Sequence, residues 1–123
     1  MNPPELYKDI RPWGEEVWLT RDGRAPSMVK VITVRAHEAL SLQYHAKREE
    51  YWVVISGDGE AEVGGERIPL RAGASCFVPK EARHRVTSGA GGLTFVELSF
   101  GEFDEKDIVR LEDRYGRASG SKT

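Results

Sequence analysis

Gln43, His45, Glu50 and His84 are the residues whose types and spacing could do chemistry. Side chains two apart on a strand share a face, so Gln43 and His45 in Leu42-Gln43-Tyr44-His45 point one way and Tyr44 the other. Glu50 and Trp52 repeat the pattern on the next run. His84 comes five residues after Pro79, where a short turn between strands can carry it back beside the first cluster. Each histidine alone would ordinarily be a surface group or a hydrogen-bonded core group. Oxygen and imidazole donors alternating along strands are what point to a divalent metal such as zinc, iron, manganese or nickel.

Four further residues extend this chemistry. Glu97, between Val96 and Leu98, alternates out of phase with its apolar neighbours. If it faces a dry pocket near a metal, its proton affinity can be tuned for general-base work; the other reading is a solvent-facing carboxylate. Lys30 shares a face with Ile32 and Val34, so it points inward if they do, where an ammonium needs a carboxylate or a substrate anion; otherwise it is an exposed edge lysine. Arg48 and Arg117 are candidate phosphate clamps, because guanidinium forks match phosphate oxygens. Cys76, the lone cysteine, lies in the apolar run Cys76-Phe77-Val78 and reads as a small buried group, consistent with a reducing cytoplasm.

These residues need elements to position them, and the turn signals describe an all-β chain. Asp22-Gly23, Gly57-Asp58-Gly59, Gly64-Gly65, Gly73 and Gly89 to Gly92 punctuate short apolar runs. Val63-Gly64-Gly65-Glu66 reads as a tight hairpin, since two glycines supply the positive φ angles of a primed turn. Tyr51 to Ile55 is a run of β-formers apolar on both faces, as in a strand buried in a sandwich or barrel. Only Glu102 to Arg110 hints at a helical turn. Arg11-Pro12-Trp13-Gly14 reads as a packing anchor for an N-terminal arm, with Trp18 helping to cover the barrel. The small polar stretch from Ala118 to Thr123 reads as a disordered tail.

The two donor segments resemble the motifs of the cupin superfamily. Gln43 stands where most cupins carry a first histidine, His37 where the first motif opens on glycine, and Ser88 where the second ends in asparagine. A more extensive likeness runs from about residue 8 to 118. Arg11-Pro12-Trp13-Gly14, Val29 to Val34, Leu40 to His45, Arg48 with Glu50 and Trp52, Val78-Pro79, His84-Arg85, Val96-Glu97 and Asp107 to Arg117 resemble the isomerase domain of type II phosphomannose isomerases. The resemblance implies a cupin barrel, a double-stranded β-helix of jelly-roll type. It implies a zinc set of Gln43, His45, Glu50 and His84, and interconversion of mannose 6-phosphate and fructose 6-phosphate through an enediolate. Glu97, Lys30 and Arg48 are then the catalytic candidates, and Arg48, Arg117 and Lys30 the sugar-phosphate contacts. It also implies a homodimer. Family members commonly carry histidines where Ala46 and Lys47 stand here. That departure keeps two other classes open: a non-catalytic metal-binding cupin that holds a sugar or other small molecule, and a metal-dependent oxygenase, against which Gln43 tells.

Composition sets the outer bounds. A chain of 123 residues, 39% of them hydrophobic, suits a single domain with its core at about 8 to 117, and leaves no room for the nucleotide-binding half that often precedes such a domain. Net charge is −2, from 18 basic and 20 acidic residues, which argues against nucleic acid or an anionic membrane as partner. No apolar stretch approaches the roughly 18 residues needed to cross a bilayer, and Met1-Asn2-Pro3-Pro4-Glu5 lacks the features of a signal peptide, so a cytoplasmic location is expected.

Overall fold

Two long strands, each bent at a glycine, set the architecture. The computed structural model describes residues 7–18 and 25–117. In chain order the strands are β1 (Tyr7–Arg11), β2 (Gly14–Trp18), β3 (Met28–Val34), β4 (Leu42–Tyr44), β5 (Arg48–Val63), β6 (Glu66–Arg71), β7 (Ser75–Val78), β8 (His84–Gly101) and β9 (Val109–Glu112). β5 and β8 run antiparallel along nearly their whole length, and the register shifts between Val54 and Ser56 and between Gly57 and Gly59. There the backbones nearly touch: a Cβ on Gly57, whose φ is +88°, would lie 2.1 Å from the carbonyl oxygen of Gly92. Only glycine permits both that conformation and that approach.

The bends divide the sheet into two facing halves. In one, β3 pairs with the second part of β8, which pairs with the first part of β5, which pairs with β7. In the other, β9 pairs with β4, β4 with the start of β8, and the first part of β8 with the second part of β5 and so to β6. Trp52, Val54, Val78 and Phe95 from the first half pack with Ala61, Val63, Leu70 and Val86 from the second to form the core. The tilted Trp52 and Phe95 rings lie 5.3 Å apart. This is the all-β, jelly-roll-like barrel expected.

Several local expectations change. The Gly64-Gly65 hairpin forms as read, with φ of 56° and 88° and Val63 opposite Glu66. Gly57 to Gly59 and Gly89 to Gly92, read as turns, lie within β5 and β8 as bends, because pairing continues through them. The helical turn expected in Glu102 to Arg110 does not form. Asp104 caps a single turn, accepting the Lys106 amide on its side chain (3.0 Å) and the Asp107 amide on its carbonyl (2.9 Å), and the chain then enters β9. Trp13 is no anchor: it sits at the β1–β2 turn, 71% exposed. The Trp18 side chain, Asp22-Gly23 and the tail from 118 lie outside the described structure.

Candidate metal centre and cavity

Strand register explains why distant donors meet. Gln43 on β4 lies directly across from His84 at the start of β8, so both side chains leave the same face. His45 follows β4, and Glu50 comes from the facing half on β5. His45, Glu50 and His84 are all buried, and one donor atom from each lies within 4.8 Å of the others. The His45 Nε2 is 3.3 Å from Glu50 Oε2, and the His84 Nε2 is 3.9 Å from Glu50 Oε1.

Hydrogen bonds fix which nitrogen faces the cluster. The Nδ1 of His45 meets the Asp107 carbonyl at 2.7 Å, and that of His84 meets the Ala82 carbonyl at 2.9 Å. A carbonyl only accepts, so both Nδ1 atoms carry the proton and both Nε2 lone pairs point inward. Burial holds both imidazoles below their usual pKa, the Glu50 charge opposing it in part, so they stay neutral and ready to ligate. Two inward lone pairs and a buried carboxylate form an electron-rich pocket that suits a divalent cation.

Gln43 completes the set at one remove. Its Nε2 is 3.3 Å from His45 Nε2 and 3.5 Å from His84 Nε2, while Ser41 Oγ donates to its Oε1 at 2.6 Å. A half-turn of the amide would present oxygen to a cation, and the Ser41 hydroxyl can accept from the amide as readily as it donates to it.

Glu50 is held from both sides. Arg48 Nε donates to its Oε2 and Trp52 Nε1 to its Oε1, each at 3.1 Å. Burial works to raise the Glu50 pKa, but a hydrogen bond with Glu97 and electrostatic interactions with His45, His84 and Arg48 outweigh it and hold it below the usual value. Glu97 goes the other way. Burial first, then the charge of Glu50 and the hydrogen bond to it, push Glu97 up to about 8, with Lys30 and Arg48 pulling against them.

A cavity of about 350 Å³ opens over this cluster. Gln43, His45, Arg48, Glu50 and Glu97 line it, as do Lys30 and Arg117, so of the candidate metal, catalytic and substrate residues all but His84 reach the wall. Lys30 pairs across the β3–β8 ladder with Glu97, as inward-facing Ile32 and Val34 implied, and its Nζ lies 4.9 Å from the centre of the Phe103 ring. Arg48 sits over the same ring at 4.9 Å.

Sequence reasoning did not find Ser41, Phe103 and Arg110, which also line the cavity, nor Asp107. The Asp107 carboxylate accepts the amides of Ala46 and Lys47, each at 2.9 Å, while its carbonyl orients His45. Burial acts to raise its pKa, but the two amides outweigh it and keep it low. Further along, Arg114 donates to the His37 carbonyl at 2.9 Å and the Tyr115 hydroxyl bonds Glu38. The C-terminal segment is thus fastened at both ends and crosses beside the site. Cys76 is buried away from it, and burial pushes its thiol up to about 11, as an inert group requires.

Comparison with known proteins agrees with the geometry. Residues 5–113 match the family described as mannose-6-phosphate isomerase C-terminal. Mannose-1-phosphate guanylyltransferase ManC of Salmonella typhimurium is 38% identical over 115 residues, covering 91% of this chain and 24% of that protein. The chain spans about a quarter (23–24%) of the length of the curated relatives it matches. Among solved structures, a cupin protein from Bacteroides fragilis matches 82% of this chain and 81% of its own, with TM-score 0.57 and 16% identity. A 3,4-ketoisomerase from Helicobacter canadensis matches 85% and 86%, with TM-score 0.64 and 12% identity. These structural likenesses establish the cupin fold. No helix among the described residues is long and apolar enough to cross a membrane.

Proposed function

The chain belongs to the mannose-6-phosphate isomerase C-terminal family, and from that premise we propose that it is a metal-dependent sugar-phosphate isomerase of the mannose 6-phosphate/fructose 6-phosphate type. The observation that carries this reading is Glu97, buried to 7% exposure on the wall of a cavity it shares with a His/Glu/His metal-donor set. Aldose–ketose isomerisation moves a proton between adjacent carbons, so it needs a base within reach of both. Glu97 accepts the proton from one carbon and returns it to the other. Its proton affinity, raised to about 8, lies close to neutral, where a base binds and releases a proton with least cost. Lys30, across the ladder, opposes that rise and keeps the ionised form accessible.

His45, His84 and Glu50 would hold a divalent metal, zinc before manganese, iron or nickel, with Gln43 as a neutral fourth donor. The metal would supply positive charge to the oxygens of the enediolate. Arg48 and Trp52 keep the Glu50 carboxylate in place for it. Phe103 lines part of the cavity, with Lys30 and Arg48 against its ring.

The test is deuterium incorporation at C2 of the sugar when the zinc-loaded chain is incubated with fructose 6-phosphate or mannose 6-phosphate in heavy water. Exchange with net interconversion is expected, and Glu97→Gln is expected to slow turnover about 10²–10⁴-fold with little effect on binding. Absence of both exchange and net interconversion with every sugar phosphate tried, at full metal occupancy, would reject the isomerase and leave a metal-binding sugar receptor.

A further inference from the structure

Of the three clustered donors only His45 stands outside a strand. Glu50 lies within β5 and His84 opens β8, whereas His45 belongs to the short connection from Tyr44 at the end of β4 to Arg48 at the start of β5. No ladder fixes that connection, and its main chain is bonded from other parts of the chain instead. The His45 carbonyl accepts the Glu81 amide at 2.7 Å, and the Lys47 carbonyl accepts the Glu102 amide at 3.2 Å. The amides of Ala46 and Lys47, two exposed residues, both go to the Asp107 carboxylate, each at 2.9 Å.

The turn that carries Asp107 reaches two of the three donors at once. The Asp107 carbonyl takes the His45 Nδ1 proton at 2.7 Å and so aims Nε2 into the cluster. Earlier in the same turn, the Asp104 carbonyl takes Arg48 Nη1 at 3.2 Å, and that guanidinium donates from Nε to Glu50 at 3.1 Å. The Asp107 amide donates to the Asp104 carbonyl at 2.9 Å, so the two carbonyls move as one unit. Phe103, Glu105 and Ile108 of the same stretch line the cavity. A displacement of this turn therefore changes the aim of His45, the support of Glu50 and the cavity wall together. Glu105 and Lys106 at its tip are exposed, so apolar burial does little to hold it there. The two charge-assisted bonds from the Asp107 carboxylate do.

We propose that Asp107 is a positioning residue for the metal centre: its carboxylate fastens the turn to Ala46 and Lys47, and that fastening sets where the two turn carbonyls stand and hence how His45 and Glu50 meet a cation. The proposal rests on the metal reading above and goes beyond it, because control of the donors then lies in a side chain that is not one of them. The hold is on main-chain amides, so it is independent of which side chains stand at positions 46 and 47. Outer hydrogen-bond partners of metal ligands are typically worth about 10- to 100-fold in metal affinity.

Zinc affinity of the full chain, measured against a chelating dye, and the visible absorption of the cobalt(II)-substituted chain test this. Asp107→Ala is expected to weaken zinc by about 10- to 100-fold and to alter the cobalt spectrum, which reports donor geometry. Asp107→Asn keeps one acceptor oxygen and is expected to recover part of the loss. Tyr115→Phe removes the bond to Glu38 further along the C-terminal segment and serves as the contrast, expected to leave both readouts unchanged. Circular dichroism melts confirm that the variants are folded. A third readout needs no metal: the His45 Nδ1 proton, held on the Asp107 carbonyl, should give a downfield resonance that exchanges slowly with water, and Asp107→Ala should move it upfield and speed its exchange. Folded Asp107→Ala with unchanged zinc affinity and cobalt spectrum overturns the proposal, as does an equal loss in Tyr115→Phe, which would mark general loosening of the segment. If wild type takes up neither zinc nor cobalt, the metal reading fails and the proton resonance alone decides. Identical position and exchange in wild type and Asp107→Ala would then overturn the positioning role as well, and a shift with faster exchange would uphold it.

Discussion

Glu97 and the two inward imidazoles titrate in opposite senses, which gives the metal-free site a pH signature. Burial lowers His45 and His84 below 6.5, so what they contribute to stability is present above 6.5 and lost as pH falls through their folded values. Glu97 rises from 4.5 to about 8, so its contribution is complete below 4.5 and lost as pH climbs through about 8. Of these three groups only Glu97 still changes above 6.5. Chelator-treated protein should therefore melt at lower temperature as pH goes from 6.5 to about 9, and Glu97→Gln should flatten that slope. An unchanged slope in the variant would place the titrating group elsewhere. Arg48→Met tests the buried pair: removing one partner leaves the Glu50 charge uncompensated and should cost about 3–5 kcal/mol in urea unfolding. At this scale the donor set was legible, because period-two alternation placed Gln43 with His45 and Glu50 with Trp52. Arg110 was not, because its facing depends on a register shift beside Leu42 and Gln43 that no local pattern announces. Asp107 was hidden for a related reason: its carbonyl orients His45, and a carbonyl has no signature in sequence.

Among the elements, the backbone between the strands carries the sharpest contrasts. Gly57→Ala would drive a methyl into the Gly92 carbonyl at a φ of +88°, where β5 and β8 cross most closely. A loss of about 2–4 kcal/mol is expected from strain and overpacking together. Glu81 is the opposite case. It holds φ of 67° without being glycine, and its amide donates to the His45 carbonyl at 2.7 Å, tying the turn before His84 to the end of β4. Relief of left-handed strain, about 1–2 kcal/mol, should exceed the entropy cost of glycine, about 0.5–1 kcal/mol. Glu81→Gly should thus raise the urea midpoint slightly, and a clear fall would show that the side chain itself has work to do. His37 shares this conformation at φ of 59°, at the position where the cupin motif opens on glycine. The Gly64-Gly65 hairpin could be read from sequence because its signal is local. The bends at Gly57 and Gly92 could not, since glycine alone does not say whether a partner strand continues past it.

For the molecule as a whole, the proposed metal joins parts that the core already holds. Gln43 and His84 belong to one half of the barrel, Glu50 to the other, and His45 to the segment between β4 and β5. The apolar core around Trp52, Phe95, Val78 and Val86 is made of other side chains, so the barrel does not need the ligands to close. Metal should then stabilise the fold without being required for it. Zinc at a thousandfold excess over its dissociation constant would add about 4 kcal/mol by mass action. At about 2.1 cal/mol/K of unfolding entropy per residue over a chain of this length, that is a shift of about 15 °C. Chelation should lower the melting temperature by that order and leave a single cooperative transition. His45→Ala and His84→Ala, melted in zinc, should lose the shift and unfold near the chelated wild type, because each removes a donor and leaves the core intact. If chelated wild type shows no cooperative transition, the donors and not the apolar faces are what close the barrel. If the histidine variants keep the full zinc shift, the cation binds somewhere else.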